Sequence, residues 1–436
     1  MSRLGFKGTD PMVMCRGVEF KVGTPHHHEG NIKMCHRGFH FCCKLTDVHR
    51  YYSLATSRVF IVHFGVNHEL EDDKGVTDEI VLLHEITAAT VPELVSAPEY
   101  KHLMAENTAG LMLMFAARGD TQAVRDLLGR GADVHVMYDV ALIEASDQGH
   151  TDTVELLLRH GADVHALGDT ALHCACHNGH RDTAAVLLDH GAVVYMHNHR
   201  VLMEASYNGA TDMVALLLDR GADVHAENDD ALFWACRGGH RDMVALLLDR
   251  GADVHADNDK ALRRASACGH TDVAALLLDR GADVHAENDD ALFCACIDGC
   301  RDTVALLLDR GADVHADNDH ALRRASRCGN TDIVALLLDR GADVHAENDH
   351  ALVTACENGC VDTVALLLNR GADVHADNDN ALRRASGFGR TDIVALLLDR
   401  GADVCAGNHD ALRRARHGCH TDTVALLLAH TSGGTV

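Results

Sequence analysis

Gly269-His270-Thr271-Asp272-Val273-Ala274-Ala275-Leu276-Leu277-Leu278-Asp279-Arg280-Gly281-Ala282-Asp283-Val284 is the stretch on which the fold turns. Thr271-Asp272 opens a helix whose apolar stripe is Val273, Leu276, Leu277 and Leu278. Asp272 sits in its first turn, where a carboxylate suits the helix dipole. Gly281 follows Arg280, as a glycine just past a helix end should. Upstream, Asn258-Asp259 reads as a turn and N-cap, Ala261, Leu262, Ala265 and Ser266 recur at helical spacing, and Gly269 ends that first helix. Downstream, Val284-His285-Ala286 runs extended to the next turn. One unit is therefore helix, turn, helix, loop.

The unit recurs every thirty residues. Gly-Ala-Asp-Val begins at Gly131, Gly161, Gly221, Gly251, Gly281, Gly311, Gly341, Gly371 and Gly401, and Gly191 opens the variant Gly-Ala-Val-Val. A lone helix pair cannot bury its apolar stripes, so neighbours must stack into a solenoid. The expected fold is mainly α: a right-handed helical solenoid of about eleven helix pairs, from Thr108–Arg130 to Asp410–His430. The last pair reads as a cap, because Arg416 stands where other units place Ser or Cys against the next repeat.

Composition separates the array from what precedes it. All four prolines (Pro11, Pro25, Pro92, Pro98) lie in the first hundred residues, and only Lys260 of the seven lysines lies in the array. Four segments are expected: a small β-rich α+β domain over 1–95, a linker over 96–107, the array over 108–430 and a tail over 431–436. The net charge of −26 argues against nucleic acid and anionic membrane as partners. No apolar run reaches the length of a membrane span, and the start lacks the apolar stretch of a signal peptide. A cytoplasmic protein is expected, its sixteen cysteines present as thiols.

The quoted stretch resembles the second helix and Gly-Ala-Asp loop of the ankyrin repeat, and the likeness covers about three quarters of the chain. It implies a binding scaffold rather than an enzyme, working as a monomer with a protein partner, without cofactor or catalytic residues. Two departures stand out. The unit is about three residues shorter than the family's, and Lys260-Ala261-Leu262-Arg263 replaces the family's Thr-Pro-Leu-His opening. The β-hairpin finger should therefore be clipped to a tight turn. Asn258-Asp259-Lys260-Ala261-Leu262-Arg263-Arg264-Ala265-Ser266 resembles the thirty-residue ankyrin units of giant viruses of amoebae, which implies a host protein as partner and the host cytoplasm as location.

A second rhythm of sixty residues runs through the array. Units with Ala-Asp-Asn-Asp carry Arg263-Arg264, Arg323-Arg324 and Arg383-Arg384; those between carry Phe233-Trp234, Phe293-Cys294 and Val353-Thr354. Duplication of a two-unit block explains this without function. The functional reading places these residues on the concave groove that, by the ankyrin resemblance, the first helices line. The partner-binding candidates are Phe233, Trp234, Arg263, Arg264, Phe293, Arg323, Arg324, Arg383 and Arg384, residue types that anchor interfaces. Asp259 and Arg263, and their equivalents, are also spaced for i,i+4 pairs.

His135, His165, His225, His255, His285, His315, His345 and His375 share one loop position. They should stand about a helix diameter apart, too far to share a zinc ion, so structural hydrogen bonding is expected. In the N-terminal domain, Val18–Val22, Phe39–Cys42, Val59–Phe64 and Glu79–Leu83 read as strands, and Asp47–Tyr52 as a short helix. The pattern Phe6-Lys7-Gly8, Cys15-Arg16-Gly17, Phe20, Cys35, Gly38–Cys42 and Tyr51-Tyr52 resembles a small uncharacterised domain of phages and giant viruses. Zinc is the alternative for its His and Cys residues, with Cys35, His40 and Cys42 as candidate ligands, although no Cys-x-x-Cys pair is present. Cys15-Arg16-Gly17 and Gly38-Phe39-His40 also resemble segments of ADP-ribosyltransferases, without a catalytic glutamate motif to complete them. On either alternative this domain is an effector and the array its targeting module.

Overall fold

The computed structural model describes residues 4–9, 14–15, 18–19, 22, 25–27, 39–42, 44–48, 53, 55–64, 68–71, 74–77, 79–194 and 198–432. Two compact units share the chain: Met1–Ala205 with Asp212–Ala222, and Ser206–Thr211 with Asp223–Val436.

The first unit begins with antiparallel sheet. Strands Leu4–Thr9, Arg58–Phe64, Glu79–Glu85 and Pro25–His27 pair in that order, with Phe6 opposite Ile61 and a register shift at Ile61/Val62. Phe39–Phe41, Lys74–Thr77 and His68–Glu71 form a second sheet, and Met14–Cys15 pairs with Val18–Glu19. Phe6, Val59, Phe60, Ile61, Val62, Ile80 and Leu82 are buried as the core. The expected short helix is Leu45–Val48; residues 49–52 lie outside the described residues.

The stretch expected as a linker is helical. Val91–Ser96 takes Pro92 in its first turn, where a missing N–H costs nothing, and Lys101–Glu106 follows. Asn107 then locks the array to the sheet module. Its Oδ1 accepts the Leu45 N–H at 2.8 Å and its Nδ2 donates to the Leu103 carbonyl at 2.7 Å. In the next helix, Thr108–Arg118, residues Gly110 to Ala117 are all buried. Gly110 packs so closely on Leu45 that a Cβ there would meet the Leu45 Cβ at 2.6 Å. Arg118 closes the junction by donating to the Ser57 carbonyl at 2.6 Å and the Ile86 carbonyl at 3.2 Å. Burial lowers its pKa.

Among the described residues, eleven helix pairs run from Thr108 to Ser432, the last helix extending two residues into the expected tail. The expected turn at Asn258-Asp259 does precede the helix, but it is left-handed and the Asp259 side chain bonds His255 and Asp283 instead of capping. In Ala256–Ala267, Asp257, Asn258 and Asp259 have φ of 52°, 55° and 58°, a complete left-handed turn before the right-handed helix. Left-handed backbone costs roughly 1–2 kcal/mol per residue, least for Asn and Asp. The turn replaces the β-hairpin finger, and packing imposes it even on Met137 and Tyr138, which share the geometry with φ of 53° and 62°.

Asp259 explains why the turn holds. Asp259 is 4% exposed, and its carboxylate accepts the His255 Nδ1–H at 3.2 Å and, from the next unit, the Asp283 N–H at 2.8 Å. Asp229, Asp289, Asp319, Asp349 and Asp379 do the same for Asp253, Asp313, Asp343, Asp373 and Asp403, each at 2.8 Å. The expected Asp259–Arg263 ion pair does not form, because the carboxylate is turned the other way. At the far end of each unit, Gly281 (φ 100°) is left-handed, so Ala282 N–H closes on the Leu277 carbonyl at 3.0 Å. Arg416 is exposed at the last repeat.

Candidate functional site

The histidine column takes its place from these turns. All eight histidines present Nδ1–H to the aspartate four residues on, at 3.1 to 3.2 Å. They are half-exposed and seven of their eight aspartates are buried, Asp169 being the exception, so the column clamps the residue that joins units. A second column escaped the sequence reading. His150, His180, His240, His270 and His420 donate Nε2–H to a carbonyl of the preceding unit, at 2.8 to 3.1 Å. Asn330 and Arg390 make the same bridge with other donors.

The partner-binding candidates lie on the first helices of the second unit. In each arginine pair the first member is structural. Arg263 donates to the Asp257 carbonyl of its own left-handed turn at 3.0 Å and to Asp290 of the next unit at 3.3 Å. Arg323 does so to the Asp317 carbonyl at 2.9 Å and Glu347 at 2.6 Å. Arg383 donates to the Asp377 carbonyl at 2.7 Å and lies 3.7 Å from Asp410. Burial would raise the Asp410 pKa, but the Arg414 hydrogen bond, with Arg413 and Arg383 beside it, holds it below the ordinary value.

The second member of each pair behaves differently. The Arg264 guanidinium lies over the Phe233 ring at 5.0 Å and Arg324 over Phe293 at 5.3 Å, and neither has an acidic partner among the described residues. Their Nε atoms are buried without an acceptor, as are those of Arg263, Arg323 and Arg383, whose terminal nitrogens are engaged as described. Arg384, the third of the series, instead pairs through Nε with Glu357 and lies 5.7 Å over Phe388. Lys260 adds a cation 4.6 Å above Phe233, and His320 stacks on Phe293 at 4.3 Å. Burial first, then Arg323, lowers the His320 pKa. An open cavity of about 320 Å³ lies among Phe233, Lys260, Arg263, Arg264, Asp290 and Cys294.

Trp234 is half-buried rather than exposed. It meets Tyr207 edge-on at 5.8 Å and Phe233 at 5.4 Å, with the Arg237 guanidinium 5.0 Å above its ring. Its indole N–H has no acceptor. The outward member of this cluster is Tyr207, 46% exposed, which sequence reading missed. Its signal was position: Tyr207 ends one first helix, and only stacking brings it to Trp234 on the next. A second open cavity, about 230 Å³, lies among Arg384, Phe388, Arg414 and His417.

Of the zinc candidates, Cys35 lies outside the described residues, His40 is placed only as strand backbone, and Cys42 is buried and backbone-paired with Phe6. Arg16, Gly17 and Gly38 also lie outside them. Among the described residues no group of three or more His, Cys, Asp or Glu is placed to hold a metal. Cys176 and Cys296 are buried, while Cys174 and Cys294 stand at the helix flank; burial first, then neighbouring acids, raises the Cys174 and Cys294 thiols to about 11. No described helix is long and apolar enough to cross a membrane.

Comparison with known proteins gives two family matches. Residues 111–198, 202–288, 285–348 and 344–408 match the family described as ankyrin repeats (3 copies). Residues 3–94 match a domain of unknown function, DUF7666. No curated protein matches the chain. Among solved structures, the crystal structure of the human ASB11 ankyrin repeat domain is similar at 28% identity and a TM-score of 0.42, over 46% of this chain and 98% of that one.

Proposed function

We propose, from the premise that this chain belongs to the ankyrin-repeat family, that it is a scaffold holding a protein partner on the first-helix face of its second unit. Ankyrin repeats mark a protein-interaction module, and the face assigned here is this chain's own. One observation carries it. Along these helices the Ala and Leu packing residues are constant and buried, and one further buried position alternates only between Cys and Ser, while Tyr207, Phe233, Trp234, Arg264, Phe293 and Arg324 vary from unit to unit and reach the surface. Aromatic and arginine side chains fixed by mutual stacking lose little entropy on binding, which is what an interface anchor requires. The likeness of the thirty-residue units to those of giant viruses makes a host protein the partner, met in the host cytoplasm.

The test is capture of a partner by the full chain, followed by titration of variants against it. Tyr207→Ala and Trp234→Ala should each weaken binding by about 2 kcal/mol. Circular dichroism should confirm that the repeats remain folded. Partner binding unchanged in both variants removes the face from the interface.

A further inference from the structure

The array supplies its own example of what its second arginines hold. Arg264, Arg324 and Arg384 occupy one position in three units sixty residues apart. Only at Arg384 is the Nε–H satisfied, and the acceptor is the carboxylate of Glu357, twenty-seven residues earlier. The same place relative to Arg324 is Ile297, and relative to Arg264 it is Arg237. Neither residue can accept, and the Nε–H groups of Arg264 and Arg324 are left without a partner. Phe233 and Phe293 lie under these two guanidiniums at 5.0 and 5.3 Å and fix their planes. Buried guanidinium donors without an acceptor are costly, so a carboxylate arriving there gains the full charge-assisted bond.

We propose that Arg264 and Arg324 are two carboxylate sites for one extended acidic segment of the partner protein, each taking a Glu or Asp where Glu357 sits on Arg384. This deepens the reading above and rests on it. It also divides the arginine pairs, since Arg263 and Arg323 are already engaged with Asp290 and Glu347. The two sites are two units apart. Stacked helices lie ~10 Å apart, which makes the step about 20 Å. An extended chain rises ~3.3 Å per residue, so the two acids should stand about six residues apart. Arg237, over the Trp234 ring on the neighbouring helix, adds a cation at the first site and has no acidic partner among the described residues.

The experiment uses the full chain and fluorescein-labelled peptides read by anisotropy. Glu-Gly-Ser-Gly-Ser-Gly-Glu is compared with a peptide whose glutamates are three residues apart, with the Gln-for-Glu version, and with oligothymidylate of similar length. The six-residue spacing should bind at least tenfold tighter than the other three. Arg264→Gln and Arg324→Gln should each lower that affinity at least fivefold. Ile297→Glu, which supplies the missing carboxylate from within, should do the same while leaving the fold intact. Glu357→Gln frees Arg384, and a peptide with a third glutamate six residues further on should gain at least fivefold, an increase that misfolding cannot mimic. Equal affinity for both spacings, indifference to Ile297→Glu, or preference for oligothymidylate overturns the proposal. Equal binding of the Gln peptide, lost in Tyr207→Ala, also overturns it while leaving the protein-binding face standing.

Discussion

Asp259 and Asp283 are joined across two repeats by one hydrogen bond, the Asp283 N–H donating to the buried Asp259 carboxylate at 2.8 Å. The same carboxylate holds His255, so one side chain stabilises a left-handed turn and ties it to the next unit. Removing it leaves two donors without an acceptor. Asp259→Ala should cost about 2 kcal/mol, and Asp259→Asn, which keeps an acceptor, clearly less. In a solenoid the loss is local, so the readout is amide exchange at Asp283 and Val284, with distant repeats unaffected. Equal exchange in wild type and Asp259→Ala removes the bond from the list of what holds the array.

The junction between sheet module and array makes a second prediction. Gly110 has no space for a side chain against Leu45, and Arg118 satisfies two carbonyls of the sheet module. Gly110→Val should cost about 1–3 kcal/mol through overpacking. Arg118→Met, which keeps the stem but leaves the Ser57 and Ile86 carbonyls without donors, should cost a similar amount. Limited proteolysis between residues 86 and 107 should accelerate in both variants. Unchanged cleavage would mean that the module does not depend on this contact.

How much of this was legible differs by distance along the chain. The helices around Leu276–Leu278 and Gly281 were readable because stripe, cap and period are local and repeated. Asp259 was misread as a cap because the sequence shows what it can bond, not which way it turns; its partner Asp283 belongs to the next unit. The strand Leu4–Thr9 was missed because Lys7 and Thr9 are buried and break the alternation of Leu4 and Phe6. The arginine strip was seen as a stripe of charge. That Arg263 and Arg323 are neutralised by Asp290 and Glu347 follows only from stacking, as does the exposure of Tyr207 beside Trp234.

The cysteines should divide sharply in reactivity. Burial raises the Cys176 thiol to about 12 and pushes those of Cys236, Cys296 and Cys356 higher still. Raising a thiol pKa lowers the thiolate fraction at pH 8, and burial also denies access, so both effects act in one direction. Cys268, Cys328, Cys405 and Cys419 are exposed. Iodoacetamide at pH 8, followed by peptide mass spectrometry, should label these four and spare the buried four until denaturant is added. Labelling of Cys236 in the folded chain at a rate near that of Cys268 contradicts the packing described.

The final prediction separates the two members of an arginine pair. Arg323 is 15% exposed at its side chain and bridges its own turn to Glu347 of the next unit, so its loss leaves the Asp317 carbonyl without its donor and Glu347 with only the Asn318 amide at 3.5 Å. Arg324, its neighbour in sequence, has only the Phe293 face beneath it. Arg323→Gln should therefore cost about 1–2 kcal/mol, the half-exposure of Glu347 keeping the figure below that of a buried pair. Arg324→Gln should cost no more than about 1 kcal/mol, the worth of a cation over an aromatic ring. Native-state hydrogen exchange across residues 316–358 measures both, since exchange reports each repeat separately where a single melting temperature does not. A larger loss from Arg324→Gln than from Arg323→Gln reverses the division of labour, and with it the reason for assigning Arg324 to a partner rather than to the array.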